Sequence, residues 1–323
     1  MSEYSTPDFA SCYQKIDKVI AEVEKVIVGK RRELELLLSA MLSGGHILLE
    51  DVPGVGKTTL AASLAKSAGL SFKRAQFTPD VMASDITGFN MYNRSKEQFE
   101  FREGLVMTNI MLADEINRAS PKTQSSLLEA MEENAVTVDG VTYKLPKPFF
   151  VIATQNPSGY VGTYPLPEAQ LDRFSIRMTM GYPTEDEEYS ILTARRGENP
   201  MDKLTPAASA EDIAKMIAAA AEVKLDPEIT KYIVALVRAT RQSEKISLGA
   251  SPRASLALMR VTQAYALVHG RDYAVPEDVS AVFLPCIAHR LTLSKEARMN
   301  SEKADDILRD ILHTVKVPFK ATR

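Results

Sequence analysis

The stretch that most constrains the fold of this chain runs from residue 47 to residue 59 and reads ILLEDVPGVGKTT. An apolar run leads into a turn with one proline and two glycines, and a helix-forming segment follows the lysine. Glycines let backbone N–H groups turn inward around a polyphosphate, and the positive end of the following helix adds to the attraction. The stretch therefore predicts a strand, a phosphate-binding loop and a helix.

The residues of this loop suit separate tasks at a bound nucleotide. Lys57 would reach the β- and γ-phosphates, and the Thr58 hydroxyl would hold Mg²⁺. The positions expected to contact the nucleotide are Asp51, Val52, Pro53, Gly54, Val55, Gly56, Lys57, Thr58 and Thr59. Asp51 departs from the general pattern G-x-x-x-x-G-K-[ST], which has glycine at that place. On this stretch alone, a chance glycine-rich turn before a helix remains the alternative.

Two adjacent acids follow a second apolar run, which extends from Asn109 to Ala113. Acidic groups at the carboxyl end of a parallel strand face the ligand crevice of an α/β sheet. There Asp114 would hold Mg²⁺ through its water shell, and Glu115 would orient and polarise the attacking water. An acidic helix cap after a strand is the alternative. The phosphate loop earlier in the same chain favours the catalytic interpretation.

Three further polar residues are weaker candidates on their own. Asn156 follows the apolar strand 149–154, where its amide could contact a γ-phosphate, although an Asn-Pro turn is the simpler interpretation. Arg173 by itself reads as an ordinary surface or salt-bridged residue. Arg253 stands at the start of a predicted helix, where a positive charge is unfavourable to the helix dipole. This conflict hints that Arg253 is held for a ligand.

The length of 323 residues fits two domains. Residues 1–196 read as an α/β domain, 197–207 as a linker and 208–323 as a helical domain. Alternating runs around polar turns predict two β-hairpins in the first domain, at about 86–106 and 136–145. For the first of these, a surface loop is the alternative.

Composition and charge exclude several classes of protein. The net charge of −3 gives no basic footprint for bulk nucleic-acid binding, so nucleic acid is an unlikely partner. No apolar run approaches the ~18 residues of a membrane span, and the start of the chain carries no secretion signal. Cys12 and Cys286 lie far apart and are expected to be plain thiols in a reducing, cytoplasmic compartment. The scattered histidines make a zinc site improbable.

Taken together, these segments resemble the AAA+ ATPases, and more narrowly the MoxR family. The likeness covers residues 12–295 approximately. The segments that carry it are 49–58, 112–119, 126–133, 153–157 and 162–174. In loops of that family, an aspartate at the place of Asp51 is familiar.

The resemblance implies a fold and a set of residue roles. The expected fold is an α/β core, with a parallel five-stranded sheet, helices on both faces and β-hairpin inserts, followed by an all-α lid. Asn156 matches the sensor-1 position, Arg173 the arginine finger that acts on the nucleotide of a neighbouring subunit, and Arg253 the sensor-2 arginine of the lid. Val28 and Gly29 match the segment beside the adenine. The two hairpins match the helix-2 insert and the pre-sensor-1 hairpin, which face the pore of a ring in relatives.

The resemblance also implies an activity and partners. These are Mg²⁺-dependent hydrolysis of ATP, a homo-oligomeric, hexameric ring, a partner with a von Willebrand factor A domain, and chaperone-like remodelling or assembly of a protein client. One alternative is a slow, nucleotide-gated interaction module. Another is a DNA-acting AAA+ motor, which the net charge and the acidic Asp139 at one hairpin tip disfavour.

Overall fold

A computed structural model describes residues 8–52, 54–155, 164–194 and 199–318 of the chain. In its first part the helices are α1 (Phe9–Glu24), α2 (Arg31–Leu42), α3 (Lys57–Ser67), α4 (Ala83–Thr87), α5 (Pro121–Glu133), α6 (Glu168–Leu171) and α7 (Glu185–Ala194). The strands of this part are β1 (Ile47–Glu50), β2 (Phe72–Gln76), β3 (Gly88–Asn93), β4 (Gln98–Glu103), β5 (Ile110–Asp114), β6 (Ala135–Val138), β7 (Val141–Lys144), β8 (Phe150–Gln155) and β9 (Ile176–Met178).

A parallel sheet forms the centre of this first part. Within the described residues it has five strands in the order β2-β5-β8-β1-β9, and every neighbouring pair is parallel. The inner strands β1, β5 and β8 are continuous apolar runs, which is typical of strands that are covered on both faces. The predicted fold class is therefore confirmed.

The two faces of the sheet have separate hydrophobic clusters, because successive side chains of a strand point to opposite sides. Ile47 and Leu49 belong to the cluster that includes α1, α2 and α3. Leu48, between them, belongs to the cluster that includes α4 and α5. Helices thus cover both faces, and the phosphate loop is held between a buried strand and a buried helix.

Both predicted hairpins are present. β3 pairs antiparallel with β4, and β6 pairs antiparallel with β7, so the surface-loop alternative for residues 86–106 is wrong. The two hairpins also contact each other. The rings of Phe101 and Tyr143 stack with centroids 3.8 Å apart, and Asn90 Nδ2 donates to Asp139 Oδ2 at 2.8 Å.

The second part of the chain is mainly helical, as the resemblance to AAA+ ATPases implies, and is called the lid below. Its helices are α8 (Ala210–Ala221), α9 (Pro227–Gln242), α10 (Pro252–Val268), α11 (Pro276–Ile287), α12 (Lys295–Met299) and α13 (Ala304–Thr314). The lid also contains a short antiparallel ladder between β10 (Ile246–Leu248) and β11 (Thr292–Leu293), which the all-helical expectation did not include. The α10 helix packs on α2, and the buried cluster of the lid is continuous with that of α1 and α2.

The boundary placed at residues 197–207 stays a prediction. In its described portion, Lys66 Nζ of α3 donates to Met201 O at 2.7 Å, and Ala207 N–H donates to Ser67 O at 2.8 Å. Cys12 and Cys286 are free thiols. No helix in the described part of the chain is long and apolar enough to cross a membrane.

Candidate functional site

Glycines and one lysine shape the phosphate loop. Gly54 and Gly56 have φ angles of +92° and +91°, which L side chains rarely adopt. Gly56 caps α3, so the helix opens at Lys57 with its free N–H groups directed at the loop. Lys57 Nζ is buried and donates to Asp51 O at 2.9 Å. Burial lowers the pKa of Lys57, and the nearby carboxylates of Asp114, Asp51 and Glu115 oppose this shift.

The side chain of Asp51 explains its departure from glycine. Its Oδ2 accepts the backbone N–H of Gly181 at 3.0 Å and that of Met180, and its Oδ1 accepts the N–H of Val52 at 3.2 Å. The buried carboxylate therefore ties the phosphate loop to the segment that follows β9. Pro53 lies outside the described residues.

The loop and the two acids meet in one cleft at the carboxyl ends of β1, β2 and β5. This cleft has a volume of ≈ 400 Å³, which is within the range of sites that bind small ligands. It is lined by Gly54, Gly56, Lys57, Thr58, Thr59, Arg74, Gln76, Asp114 and Glu115. The Thr58 hydroxyl and the Asp114 carboxylate supply oxygen donors, which are the ligands that Mg²⁺ prefers. The residues present therefore fit both a polyphosphate and its metal ion.

Thr154, at the end of β8, connects the two acids. Its hydroxyl donates to Asp114 Oδ1 at 2.7 Å and accepts the Glu115 N–H at 2.8 Å. Glu115 has φ 57° and ψ 48°, a left-handed conformation that is strained for a residue with a side chain. The hydrogen bond from its N–H to Thr154 helps hold Glu115 in this conformation at the strand end.

Residues of β2 face the same two acids. Arg74 Nη2 lies 2.7 Å from Asp114 Oδ2, and Gln76 Nε2 donates to Glu115 Oε2 at 3.0 Å. Arg118 Nε lies 3.2 Å from the same Glu115 oxygen. Sequence reasoning missed Arg74, Gln76 and Thr154. Their signal was their place near the ends of predicted strands, and only the strand order shows that those ends adjoin the acids.

A second, more apolar cavity of ≈ 500 Å³ adjoins the phosphate loop, which lines both cavities. Among its lining residues are Val26, Ile27, Val28, Val55, Met180, Tyr182, Ile191 and Leu192. Gly29 follows with φ +73°, and a Cβ there would overlap the Glu187 side chain. The segment that the resemblance places beside the adenine therefore borders a largely apolar cavity.

The two candidate arginines lie elsewhere. Arg173 and Arg253 line a cavity of ≈ 310 Å³ together with Arg260 and Arg290, and its walls include residues 43–46, immediately before β1. The phosphate loop begins at the other end of β1. Since four residues of strand span about 13 Å, the two arginines and the loop lie at opposite edges of the sheet.

Glu132, near the end of α5, holds both candidate arginines. Its Oε2 lies 3.2 Å from Arg173 Nη2, and its Oε1 accepts from Arg253 Nη2. The hydrogen bond from Arg253 lowers the pKa of Glu132, and Arg173 adds to the effect. Arg253 is thus placed beside Arg173 and not in the cleft of Lys57. Asn156 lies outside the described residues.

Comparison with known proteins finds relatives over most of the chain. Residues 46–176 match the sequence model of the ATPase family associated with various cellular activities (AAA), and residues 238–311 match that of the AAA lid domain. YeaC of Bacillus subtilis is 51% identical over 94% of this chain and 95% of its own length. Chaperone MoxR1 of Mycobacterium tuberculosis is 40% identical over 94% of this chain and 82% of its own.

A solved structure shares the whole architecture. The crystal structure of a protein from Cytophaga hutchinsonii superimposes with a TM-score of 0.89 at 39% sequence identity. The match covers 96% of each chain, so it includes both the α/β part and the lid.

Proposed function

Since the chain belongs to the MoxR family of AAA+ ATPases, we propose that it hydrolyses ATP with Mg²⁺ and uses this reaction in chaperone-like remodelling or assembly of a protein partner. The single observation that carries the hydrolase part is the cleft in which the phosphate loop meets Asp114 and Glu115. A loop that only bound a nucleotide would need no strained glutamate beside its metal ligand.

The roles of the cleft residues follow from their chemistry. The loop N–H groups and Lys57 neutralise the phosphates, while the Thr58 hydroxyl and Asp114 hold the metal ion. When bound, Mg²⁺ would neutralise charge that develops on the phosphate oxygens. Glu115 accepts a hydrogen bond from the attacking water and draws its proton away, and the αL backbone at Glu115 sets the direction of that carboxylate.

The apolar cavity beside the loop is our proposed adenine pocket. Val28 contributes its side chain, and Gly29 allows the chain to turn closely against Glu187. Asp51 fixes the distance between the loop and the Met180–Gly181 segment, which forms the other wall of the pocket. Asp51 therefore supports the binding of ATP by positioning the two walls of the pocket, and its carboxylate is not proposed to contact the phosphates.

Arg173 and Arg253 are proposed to act on the nucleotide of a neighbouring copy. They lie at the sheet edge opposite the loop, so they cannot reach the phosphates of their own subunit without a rearrangement of the core. In a ring, the amino edge of one sheet can face the carboxyl edge of the next, because such an interface is heterologous and closes on itself. We therefore propose a homo-oligomeric ring, for which the family resemblance implies six subunits, and we retain sensor 1 as the proposed role of Asn156.

The hairpins are the proposed site for the protein client. Phe89, Tyr92 and Phe99 on the first hairpin are exposed, and exposed aromatic side chains are enriched where proteins bind one another. We also propose that the protein has a partner with a von Willebrand factor A domain. Its proposed location is the cytoplasm. A protein client accounts for these side chains better than DNA does, because the exposed cations of this hairpin are balanced by acids of the same hairpin and give no net positive charge for DNA; the cations are Arg94, Lys96 and Arg102, and the acids are Glu97, Glu100 and Glu103.

Substitution of Glu115 tests the hydrolase proposal. Glu115→Gln should keep ATP binding and lower turnover by about two to four orders of magnitude, since general-base assistance contributes about 10²–10⁴. Lys57→Ala should weaken nucleotide binding itself. The measurements are phosphate release and the fluorescence of a labelled ATP analogue. Retained turnover in Glu115→Gln would remove that residue from its role.

A further experiment with the Glu115→Gln variant distinguishes a hydrolysing enzyme from a nucleotide-gated interaction module. A pull-down with ATP, with ADP and without nucleotide would show whether client capture follows the bound state or continued turnover. If Glu115→Gln with ATP supports full client function without hydrolysis, the interaction module is the better description.

A further inference from the structure

We propose that Arg74 is an internal counter-cation for Asp114, which neutralises this carboxylate when no metal ion is bound and gives way when Mg²⁺ arrives with the nucleotide. The inference rests on the proposed function, because it takes Asp114 as the metal ligand. It adds a positioning residue on β2 and a consequence for how much Mg²⁺ the site requires.

The register of the sheet places Arg74 beside the acid. β2 pairs with β5 so that Arg74 lies opposite Leu112 and Gln76 lies opposite Asp114. Arg74 and Gln76 are two residues apart and share one face of the strand. The guanidinium therefore runs along the strand toward its carboxyl end, where Arg74 Nη2 meets Asp114 Oδ2 at 2.7 Å and Gln76 Oε1 at 2.9 Å.

Both oxygens of Asp114 are engaged by these contacts. Oδ1 accepts the Thr154 hydroxyl at 2.7 Å, and Oδ2 accepts from Arg74. Thr154 is fully buried at the centre of the sheet, so its bond belongs to the fixed frame of the site. Arg74 is the contact that can change, because its side chain is 47% exposed and β2 is an edge strand.

The charges of the cleft explain why Arg74 must move. The acids Asp114 and Glu115 face the cations Lys57 and Arg74 across the same cavity. Mg²⁺ and a guanidinium on the same carboxylate would repel each other at close range. Entry of the metal ion therefore requires displacement of Arg74 from Oδ2, and the free energy of the ion pair is subtracted from that of metal binding.

The consequence is a raised requirement for Mg²⁺ and a smaller penalty for nucleotide without metal. With Arg74 present, the cleft is less negative, so a metal-free nucleotide meets less repulsion. Removal of the charge should reverse both effects. Loss of the Arg74 charge should therefore strengthen Mg²⁺ binding and weaken the binding of metal-free nucleotide. A purely structural defect would weaken both, so the opposite signs distinguish the two roles.

The test is a titration of MgCl₂ into the full chain with a fluorescent ADP analogue, comparing the wild type with Arg74→Gln and Arg74→Ala. In both variants we expect a half-saturating Mg²⁺ concentration about fivefold lower. This factor corresponds to the upper end of the free energies measured for exposed ion pairs. We also expect weaker binding of the analogue in EDTA. Arg309→Gln is the matched control, since Arg309 is an exposed lid arginine 2.6 Å from Asp306.

The outcomes distinguish this inference from the proposed function. If the wild type binds no nucleotide, the proposed function fails and this inference fails with it. If the wild type binds nucleotide with Mg²⁺ but neither Arg74 variant changes the half-saturating Mg²⁺ concentration, only the role of Arg74 is overturned. An equal change in Arg309→Gln would overturn it as well, because a general loss of positive charge would then explain the result.

Discussion

The carboxylate of Asp51 is shared between two loops that are distant in sequence. It accepts N–H groups from Met180 and Gly181 while its own backbone oxygen accepts from Lys57. A glycine at this place would satisfy the general phosphate-loop pattern but would leave these buried donors without an acceptor. An unsatisfied buried donor costs about 1–3 kcal/mol. The general motif therefore favours glycine at position 51, whereas the stability of the loop favours aspartate.

Asp51→Gly should therefore weaken the protein although it restores the general motif. We expect a loss of about 1–3 kcal/mol in the free energy of unfolding and weaker binding of a fluorescent ADP analogue. Urea unfolding and fluorescence titration measure the two effects. Asp80→Gly, at an exposed turn position, controls for the added flexibility of glycine. Wild-type affinity and stability in Asp51→Gly would contradict the assigned role.

At the scale of elements, His46 joins a strand to a helix across the amino edge of the sheet. Its Nδ1 accepts the Val151 N–H of β8 at 3.1 Å, and its Nε2 donates to Met131 O of α5 at 3.1 Å. This pattern requires the neutral imidazole, and burial lowers the pKa of His46 to about 4. The buried His46 thus helps to fix how α5, and with it Glu132, packs against the sheet.

The titration of His46 should appear in the stability of the protein. Between pH 6.5 and pH 4 the unfolded chain binds a proton at His46 that the folded chain excludes, so stability falls as pH falls. The slope is about 1.4 kcal/mol per pH unit for one histidine. His46→Gln should reduce the slope of unfolding free energy between pH 6.5 and pH 5 by about that amount, as measured by urea unfolding. His313→Gln, on the exposed side of α13, is the control, and an unchanged slope in His46→Gln would refute the assignment.

How far the sequence predicts each element depends on the length of its pattern. Apolar runs and turn residues were sufficient for the sheet strands, α5 with its Ser120 cap and the two hairpins. The β10–β11 ladder was missed because strands of two and three residues have no detectable alternation. Arg74 and Gln76 were missed for another reason, since their meaning depends on β2 lying next to β5.

At the scale of the whole molecule, the placement of the lid decides where Arg253 lies. The lid shares a core with α1 and α2, and it carries Arg253 to Glu132 and Arg173 at the amino edge of the sheet. The sequence matches Arg253 to a sensor position, but it does not show at which edge of the sheet Arg253 lies. That position depends on the packing of the lid against α1 and α2, whose side chains come from distant parts of the chain. One subunit therefore offers its loop at one edge and its arginines at the other.

This division predicts that two inactive variants restore activity to each other. Arg173→Ala keeps its loop and acids but lacks the arginine, while Glu115→Gln keeps the arginine but lacks the base. Each alone should be strongly impaired, since a trans-acting arginine contributes about 10³–10⁵. In an equal mixture, an Arg173→Ala site beside a Glu115→Gln subunit is complete. Random assembly of a ring makes roughly a quarter of the interfaces productive, so phosphate release should recover to about that fraction of the wild-type rate.

The mixture is informative only if the subunits assemble together, which a pull-down through a tag on one variant establishes. Arg253→Ala mixed with Glu115→Gln should behave in the same way, because Glu132 holds both arginines at one edge. If co-assembled mixtures stay as inactive as the separate variants, the arginines act on the nucleotide of their own subunit. The lid would then have to leave the amino edge of the sheet during turnover, against the continuous core that it shares with α1 and α2.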